Sequence, residues 1–322
     1  MTNSASLEKA SPFSLNPTLA PSGKMRQKPL MFQGTYTALI TPFKNGTVDY
    51  DAFRALIDRQ AAAGITGIVP VGTTGESPTV TAEEHLEIIR VAIEHNAGRM
   101  QVVAGTGANA TAEAIHLTQA AEAMGADASL QVCPYYNKPS QEGLYQHYKA
   151  VADATKLPIM LYSVPGRSTV AIAPETAARL ANDCANILSL KEAGGSVDRI
   201  NQLVQAVPES CELLSGDDPL TLPFMSCGAV GLVSVAANIV PEVMVSLVNA
   251  CLAGNYAEAL TIQKKYYPLF NALMSLDTNP VPIKSAAVMM GHCGDEFRLP
   301  LVDMTSENSA KLETVLKEFE LL

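Results

Sequence analysis

The chain has 322 residues, 48% of them apolar, enough for one large domain or two modest ones. Its net charge of -10 argues against nucleic acid as a partner, since a phosphate-binding surface needs clustered lysine and arginine. No apolar stretch is long and charge-free enough to span a membrane, and the six scattered cysteines form no Cys-x-x-Cys pair, which fits reduced thiols in a cytoplasmic protein.

Residues 1–30 stand apart. They are rich in Ser, Pro, Ala and Asn and have no periodicity. Lys9, Lys24, Arg26 and Lys28 outnumber the acid Glu8, and there is no apolar core of a secretory signal. The scarcity of arginine argues against an organelle transit peptide. The reading is either a disordered tail or a stretch upstream of a working start at Met31.

Beyond it, short apolar runs alternate with helical patterns. The runs cover residues 36–40, 67–71, 101–104, 129–133, 159–162, 187–191, 212–215 and 230–234. Most recur at intervals close to one strand-plus-helix unit. Residues 49–63 have apolar positions at helical spacing and end at Gly64, a C′ glycine. Thr81-Ala82-Glu83-Glu84 is a capping box opening a helix to Asn96. Further helices are expected over 111–124, over 140–154 after Pro139, from Pro174, and over 241–253. Eight such units predict a (β/α)8 TIM barrel over 31–254. Residues 255–322 read as helical throughout, an appended C-terminal helical domain.

In such a barrel the chemistry lies at the C-terminal ends of the strands. Lys191 ends the run Asn186-Ile187-Leu188-Ser189-Leu190. Desolvation there lowers a lysine's pKa and turns its ammonium into a nucleophilic amine. Tyr162 ends the preceding run in the same way. An amine for a carbonyl and a phenol for moving protons are the minimum for Schiff-base chemistry. Against this stands a lysine that merely snorkels from a strand end.

Other strand ends add weight to the chemical reading. Gly72-Thr73-Thr74-Gly75-Glu76 offers two hydroxyls and free backbone N–H groups, a nest for a carboxylate. It lacks the Gly-Lys-Ser/Thr of a nucleotide loop, and Gly105-Thr106-Gly107 lacks the third glycine of a dinucleotide fingerprint. Cys133-Pro134-Tyr135-Tyr136-Asn137-Lys138-Pro139 sets two phenols in a proline-stiffened loop. Arg167 follows Tyr162 closely and can grip a carboxylate in bidentate fashion. The five histidines have no metal-ligand spacing, so no metal is expected.

With these motifs, residues 31–322 resemble the dihydrodipicolinate synthase family of pyruvate-dependent lyases. The resemblance rests on Gly72 to Ser77, Ala104 to Asn109, Pro134 to Asn137, Leu161-Tyr162 with Val164-Pro165 and Arg167, Lys191-Glu192-Ala193, Ser215 to Asp218, and Asn279-Pro280 with Lys284. It implies that Lys191 forms an imine with pyruvate and that Tyr162, Thr73 and Tyr136 relay protons, with Tyr136 serving a neighbouring subunit. It implies that Thr74 and the backbone near Val233 hold the pyruvate carboxylate, that Gly216 shapes the pocket, and that Arg167 steadies Tyr162 and binds the carboxylate of L-aspartate 4-semialdehyde. No cofactor is implied, and a homotetramer built as a dimer of dimers is. Ser77, His85, Asn109, Glu113 and Tyr135 match a site for feedback inhibition by L-lysine, with Ala82 where many sensitive members carry histidine. Ser163 and Gly166 depart from the family's usual residues beside Tyr162 and Arg167.

Two rivals remain at this stage. One is a relative using the same lysine on another aldehyde, an N-acetylneuraminate lyase or a 2-keto-3-deoxy sugar acid aldolase. Arg167 argues against it, since those sites favour polyhydroxylated chains. The other is an inactive barrel that binds a metabolite as a regulator, against which stands the joint presence of Lys191, Tyr162, Thr73 and Tyr136.

Overall fold

The structure, a computed structural model, describes residues 31–322, so the expected tail lies outside the described residues. In chain order the elements begin with β1 (Gly34–Ala38), β2 (Phe43–Lys44), β3 (Thr47–Val48), α1 (Tyr50–Ala62), β4 (Gly67–Val69), α2 (Ala82–Asn96), β5 (Gln101–Gly105) and α3 (Thr111–Met124). They continue with β6 (Ala128–Val132), α4 (Gln141–Asp153), β7 (Ile159–Ser163), α5 (Pro165–Ser168), α6 (Pro174–Asp183), β8 (Ile187–Glu192), α7 (Val197–Ala206), β9 (Glu212–Ser215), α8 (Thr221–Ser226), β10 (Gly231–Ser234) and α9 (Pro241–Leu252). The C-terminal helices are α10 (Tyr256–Ser275), α11 (Val281–Met289) and α12 (Ser306–Glu318).

Strands β1 and β4 to β10 close into a parallel barrel, β10 pairing back onto β1. All eight expected runs are strands of it. Two boundaries shift for local reasons. β1 ends at Ala38 because the Ile40 N–H goes to the Asn238 side chain, 3.1 Å away, instead of a neighbouring strand. β4 stops at Val69 because Pro70 has no N–H to give and Val71 turns into the left-handed region at φ 52°.

Apolar side chains pack in two layers. Tyr36, Val103, Leu130, Met160, Leu214 and Val233 fill the barrel interior. A larger layer lies between the strands and the surrounding helices, with Leu56, Ile89, Leu144, Leu180, Leu203 and Leu247 contributed by the helices. At the N-terminal end of the barrel the Glu212 carboxylate accepts from the backbone N–H groups of Met31 and Phe32 at 2.8 and 2.5 Å. The floor is thereby closed, and the opposite end is left for chemistry.

Helix termini follow the expected signals. Thr81 and Glu84 form the reciprocal capping box of α2, and Gly64 and Gly125 adopt φ 77° and 91° just past α1 and α3. The small hairpin β2–β3 was not expected. Its Asn45-Gly46 turn has positive φ at both residues, the preference of a tight two-residue hairpin.

The expectation of helix throughout 255–322 is corrected for residues 290–305, which form no helix. α11 ends at Met289, Gly291 turns the chain at φ 73°, and Arg298 ties the segment down. Its guanidinium pairs with Glu84 at 2.6 Å, donates to the carbonyls of Thr79 and Gly46, and lies 4.2 Å from the centre of the Phe43 ring. A side chain with this many fixed partners directs the segment where helix propensity does not.

Candidate active site

The parallel pairing of β7 with β8 places Tyr162 directly beside Lys191. The Lys191 Nζ lies 4.1 Å from the centre of the Tyr162 ring. Both residues are buried, at 5% and 6% exposure, so water does not solvate the ammonium. Burial is the main reason that the Lys191 pKa falls to about 8; Arg167 lowers it further, while Asp217 and Asp218 oppose the fall. The Tyr162 phenol is pushed up to about 12, again chiefly by burial, with the Arg167 charge and the Thr73 hydroxyl pulling against the rise. Desolvation therefore moves the amine and the phenol apart in proton affinity and favours the neutral form of both. The neutral amine is the form that attacks a carbonyl, and the neutral phenol keeps a proton to donate.

Gly216 is required by steric contact. A Cβ there would lie 2.9 Å from the Lys191 Cε and 2.7 Å from the Ala193 Cβ. The lysine chain can lie along β8 only if residue 216 lacks a side chain. Beside it, the Asp217 carboxyl is raised to about 6 by burial and by Asp218, and the Lys191 cation opposes that rise. Asp218 itself accepts from the N–H groups of Val235 and Ala236 at 3.0 and 2.9 Å and serves the turn after β10.

The 72–76 loop is only partly the open nest that its sequence suggests. The N–H groups of Gly75, Glu76 and Ser77 are spent inside the turn on the carbonyls of Gly72 and Thr73. Those of Thr73 and Thr74 have no hydrogen-bond partner among the described residues. Thr74 is buried, and its hydroxyl oxygen accepts from the Asn279 side-chain amide at 3.1 Å. The Arg167 guanidinium donates to the Asn279 backbone carbonyl at 2.9 Å. Thr73, Tyr162, Arg167, Ser77 and Tyr135 line one cavity of about 210 Å3 at the C-terminal end of the barrel. Val233 is fully buried in the interior of the barrel.

Tyr136 is not brought to this cluster. It is 90% exposed, sits at φ 74° and is absent from the cavity wall. The second set does gather. The buried His85 Nε2 lies 2.7 Å from the Gly105 carbonyl, and Asn109 donates to the Tyr135 carbonyl at 3.1 Å. A carbonyl only accepts, so Nε2 carries the proton and Nδ1 is left as an acceptor. The Glu113 charge acts on both His85 and Tyr135. Ser163 points away from this chemistry and is contacted by Arg199, and Gly166 lies in open space.

Sequence reasoning assigned no role to the pair Glu76 and Lys284, both fully buried and 2.5 Å apart. The signal was present, an acid closing the threonine loop and a lysine in an apolar helix, but their separation in sequence hid the contact.

Known proteins resemble this chain throughout the described region. The chain is 49% identical to the 4-hydroxy-tetrahydrodipicolinate synthase of Endomicrobium trichonymphae over 292 residues, 91% of this chain and 100% of that one. Among solved structures, dihydrodipicolinate synthase from Acinetobacter baumannii complexed with pyruvate superposes with a TM-score of 0.88 at 42% identity, covering 90% and 99% of the two chains. The enzyme from Cyanidioschyzon merolae with lysine bound also gives 0.88, at 40% identity over 91% and 100%. The model of the dihydrodipicolinate synthetase family matches residues 31–319, from the barrel floor to the last helix, and the chain belongs to that family.

Proposed function

We propose that this protein condenses pyruvate with L-aspartate 4-semialdehyde to give 4-hydroxy-tetrahydrodipicolinate, the committed step of lysine biosynthesis by the diaminopimelate route. The observation that carries this reading is the buried Lys191 amine, its pKa down at about 8, held over the Tyr162 ring at the open end of the barrel.

The neutral Lys191 amine attacks the ketone carbon of pyruvate, and the resulting carbinolamine loses water to give an imine. Loss of a methyl proton yields the enamine. Its carbon attacks the aldehyde, whose oxygen takes up a proton. The substrate's own amine then adds to the imine carbon, releases Lys191 and closes the ring. The proton transfers fall to Tyr162, Thr73 and Tyr136. The free N–H groups of Thr73 and Thr74 and the Thr74 hydroxyl suit the pyruvate carboxylate, together with the backbone near Val233. Arg167, at the cavity wall, suits the carboxylate of the semialdehyde. A guanidinium there favours an amino acid aldehyde over the polyhydroxylated substrates of sugar-acid aldolases. The lysine itself supplies the electron sink, so the chemistry calls for no cofactor or metal.

The exposed phenol of Tyr136 supports pairing with a second copy, each Tyr136 entering the relay of its neighbour; the family resemblance extends this pair to a homotetramer, a dimer of dimers. No described helix is long and apolar enough to cross a membrane, and a cytoplasmic location fits a biosynthetic enzyme of this kind. We read residues 31–254 as the catalytic domain and 255–322 as its helical extension.

Borohydride added with pyruvate is expected to fix a reduced three-carbon adduct on Lys191, because only an imine is trapped this way. Intact mass and peptide mapping read it out. An adduct on another lysine, or none, would contradict the mechanism.

Ser77, His85, Asn109, Glu113 and Tyr135 make a polar site suited to L-lysine as feedback inhibitor. Glu113 takes the ammonium, and Asn109 and Tyr135 the carboxylate end. With Ala82 in place of a hydrogen-bonding residue, inhibition should survive but need roughly threefold to tenfold more lysine, the effect of one lost partner. Activity that stays flat to tens of millimolar lysine, roughly the limit of such weak binding, would exclude regulation at this site.

A further inference from the structure

The 71–76 loop holds two non-glycine residues in the left-handed region, Val71 at φ 52° and Glu76 at φ 56°. Such conformations persist only where the surroundings over-determine them. Much of that constraint comes from the C-terminal extension. Lys284, on α11, donates to the Glu76 carboxylate at 2.5 Å, and its ammonium lies 4.2 and 5.0 Å from the ring centres of Phe43 and Phe297. Thr41 donates to the Gly75 carbonyl at 2.8 Å. Just before α11, Asn279 touches both elements assigned to substrate carboxylates: its side-chain amide donates to the Thr74 hydroxyl oxygen, and its backbone carbonyl accepts from Arg167.

The direction of the first of these bonds has a chemical consequence. A hydroxyl whose oxygen accepts from Asn279 keeps its own proton free to donate elsewhere. A substrate carboxylate, which only accepts, needs that proton. We propose that Asn279 and Lys284 are positioning residues for carboxylate recognition: Asn279 orients the Thr74 hydroxyl as a donor to pyruvate, and Lys284 pins Glu76 so that the strained threonine loop keeps its shape. On this view the helical extension does more than cover the barrel; it is part of the ketone's binding site. The inference rests on the Schiff-base reading above.

The test compares two ketones as probes of Lys191: pyruvate, and acetone, which lacks the carboxylate. Borohydride trapping is measured against the concentration of each. In Asn279→Asp the near-isosteric carboxylate can only accept from Thr74 and turns its proton away. The half-saturating pyruvate concentration should rise about tenfold or more, the size of a lost hydrogen bond to a charged group. Acetone trapping should stay within about twofold, since the imine chemistry is untouched. Lys284→Met alone leaves Glu76 buried and unpaired, so the loop is tested in the double variant Lys284→Met with Glu76→Gln, which removes both charges. It should weaken pyruvate roughly threefold, as one neutral hydrogen bond would, and again spare acetone. Equal weakening of both ketones would show a general structural role and overturn the proposal, as would an unchanged response to pyruvate in Asn279→Asp. Failure of the unmodified protein to trap pyruvate would overturn the Schiff-base reading as well, which separates the two claims.

Discussion

Replacing Lys191 with methionine is expected to abolish pyruvate trapping, to lower turnover by at least about a thousandfold, and to stabilise the folded protein at neutral pH. The loss of turnover follows from removing the nucleophile on which every later step depends. The gain in stability follows from burial. A lysine whose pKa falls from 10.5 to about 8 on folding resists protonation in the native state. Below pH 8 the amine is protonated in both states, and the native state bears the full penalty. Between pH 8 and 10.5 the penalty shrinks, and above that range it vanishes. A gap of this size corresponds to an upper bound of about 3 kcal/mol. The variant also loses the cation that steadies Asp217, so a net gain of about 1–2 kcal/mol is the reasonable figure. Melting temperatures of the two proteins should therefore differ at pH 7 and converge towards pH 10.5. A variant less stable than its parent at pH 7 would mean that Lys191 is held for structure, and the catalytic reading would lose its physical basis.

The barrel was legible because each of its strands is a short apolar run followed by a helix with its own start and stop signals. Thr81 with Glu84, Gly64 and Gly125 are local devices, read from a few adjacent residues. Lys191 and Tyr162 were legible for the same reason, since each closes a run and the fold places run ends together. What escaped is non-local. Asn279 meets Thr74, and Lys284 meets Glu76, across most of the chain. No periodicity connects such pairs, and only their resemblance to a family drew attention to them. The hairpin at Asn45-Gly46 did carry a local signal, but its strands of two residues each are too short to show alternation. Residues 290–305 looked helical by composition and are held otherwise by the contacts of one arginine. Gly216 illustrates a third kind of gap. Its motif was visible, while the reason for it, a Cβ that would press on the Lys191 chain, needs coordinates.

Arg167→Ala should separate the two substrates. Pyruvate reacts with Lys191 before the aldehyde arrives, so the trapped adduct should still form. Turnover with L-aspartate 4-semialdehyde should fall between about tenfold and 150-fold, the range for a lost hydrogen bond to a charged group. The arginine also acts at a distance on both reacting groups, lowering the pKa of Lys191 and of Tyr162. Without this cation the protonated amine is less disfavoured, and the Lys191 pKa rises above about 8. The alkaline shift should appear directly in the pH dependence of trapping, with less adduct at pH 7 and recovery at higher pH. Arg167→Lys distinguishes the two effects. It restores a positive charge and so returns the pH profile towards the parent. It cannot reproduce the planar fork that grips a carboxylate while holding the Asn279 carbonyl, so turnover should stay low. Near-normal turnover in Arg167→Ala would point instead to an aldehyde without a carboxylate at this position, and the sugar-acid aldolases would return as the better reading.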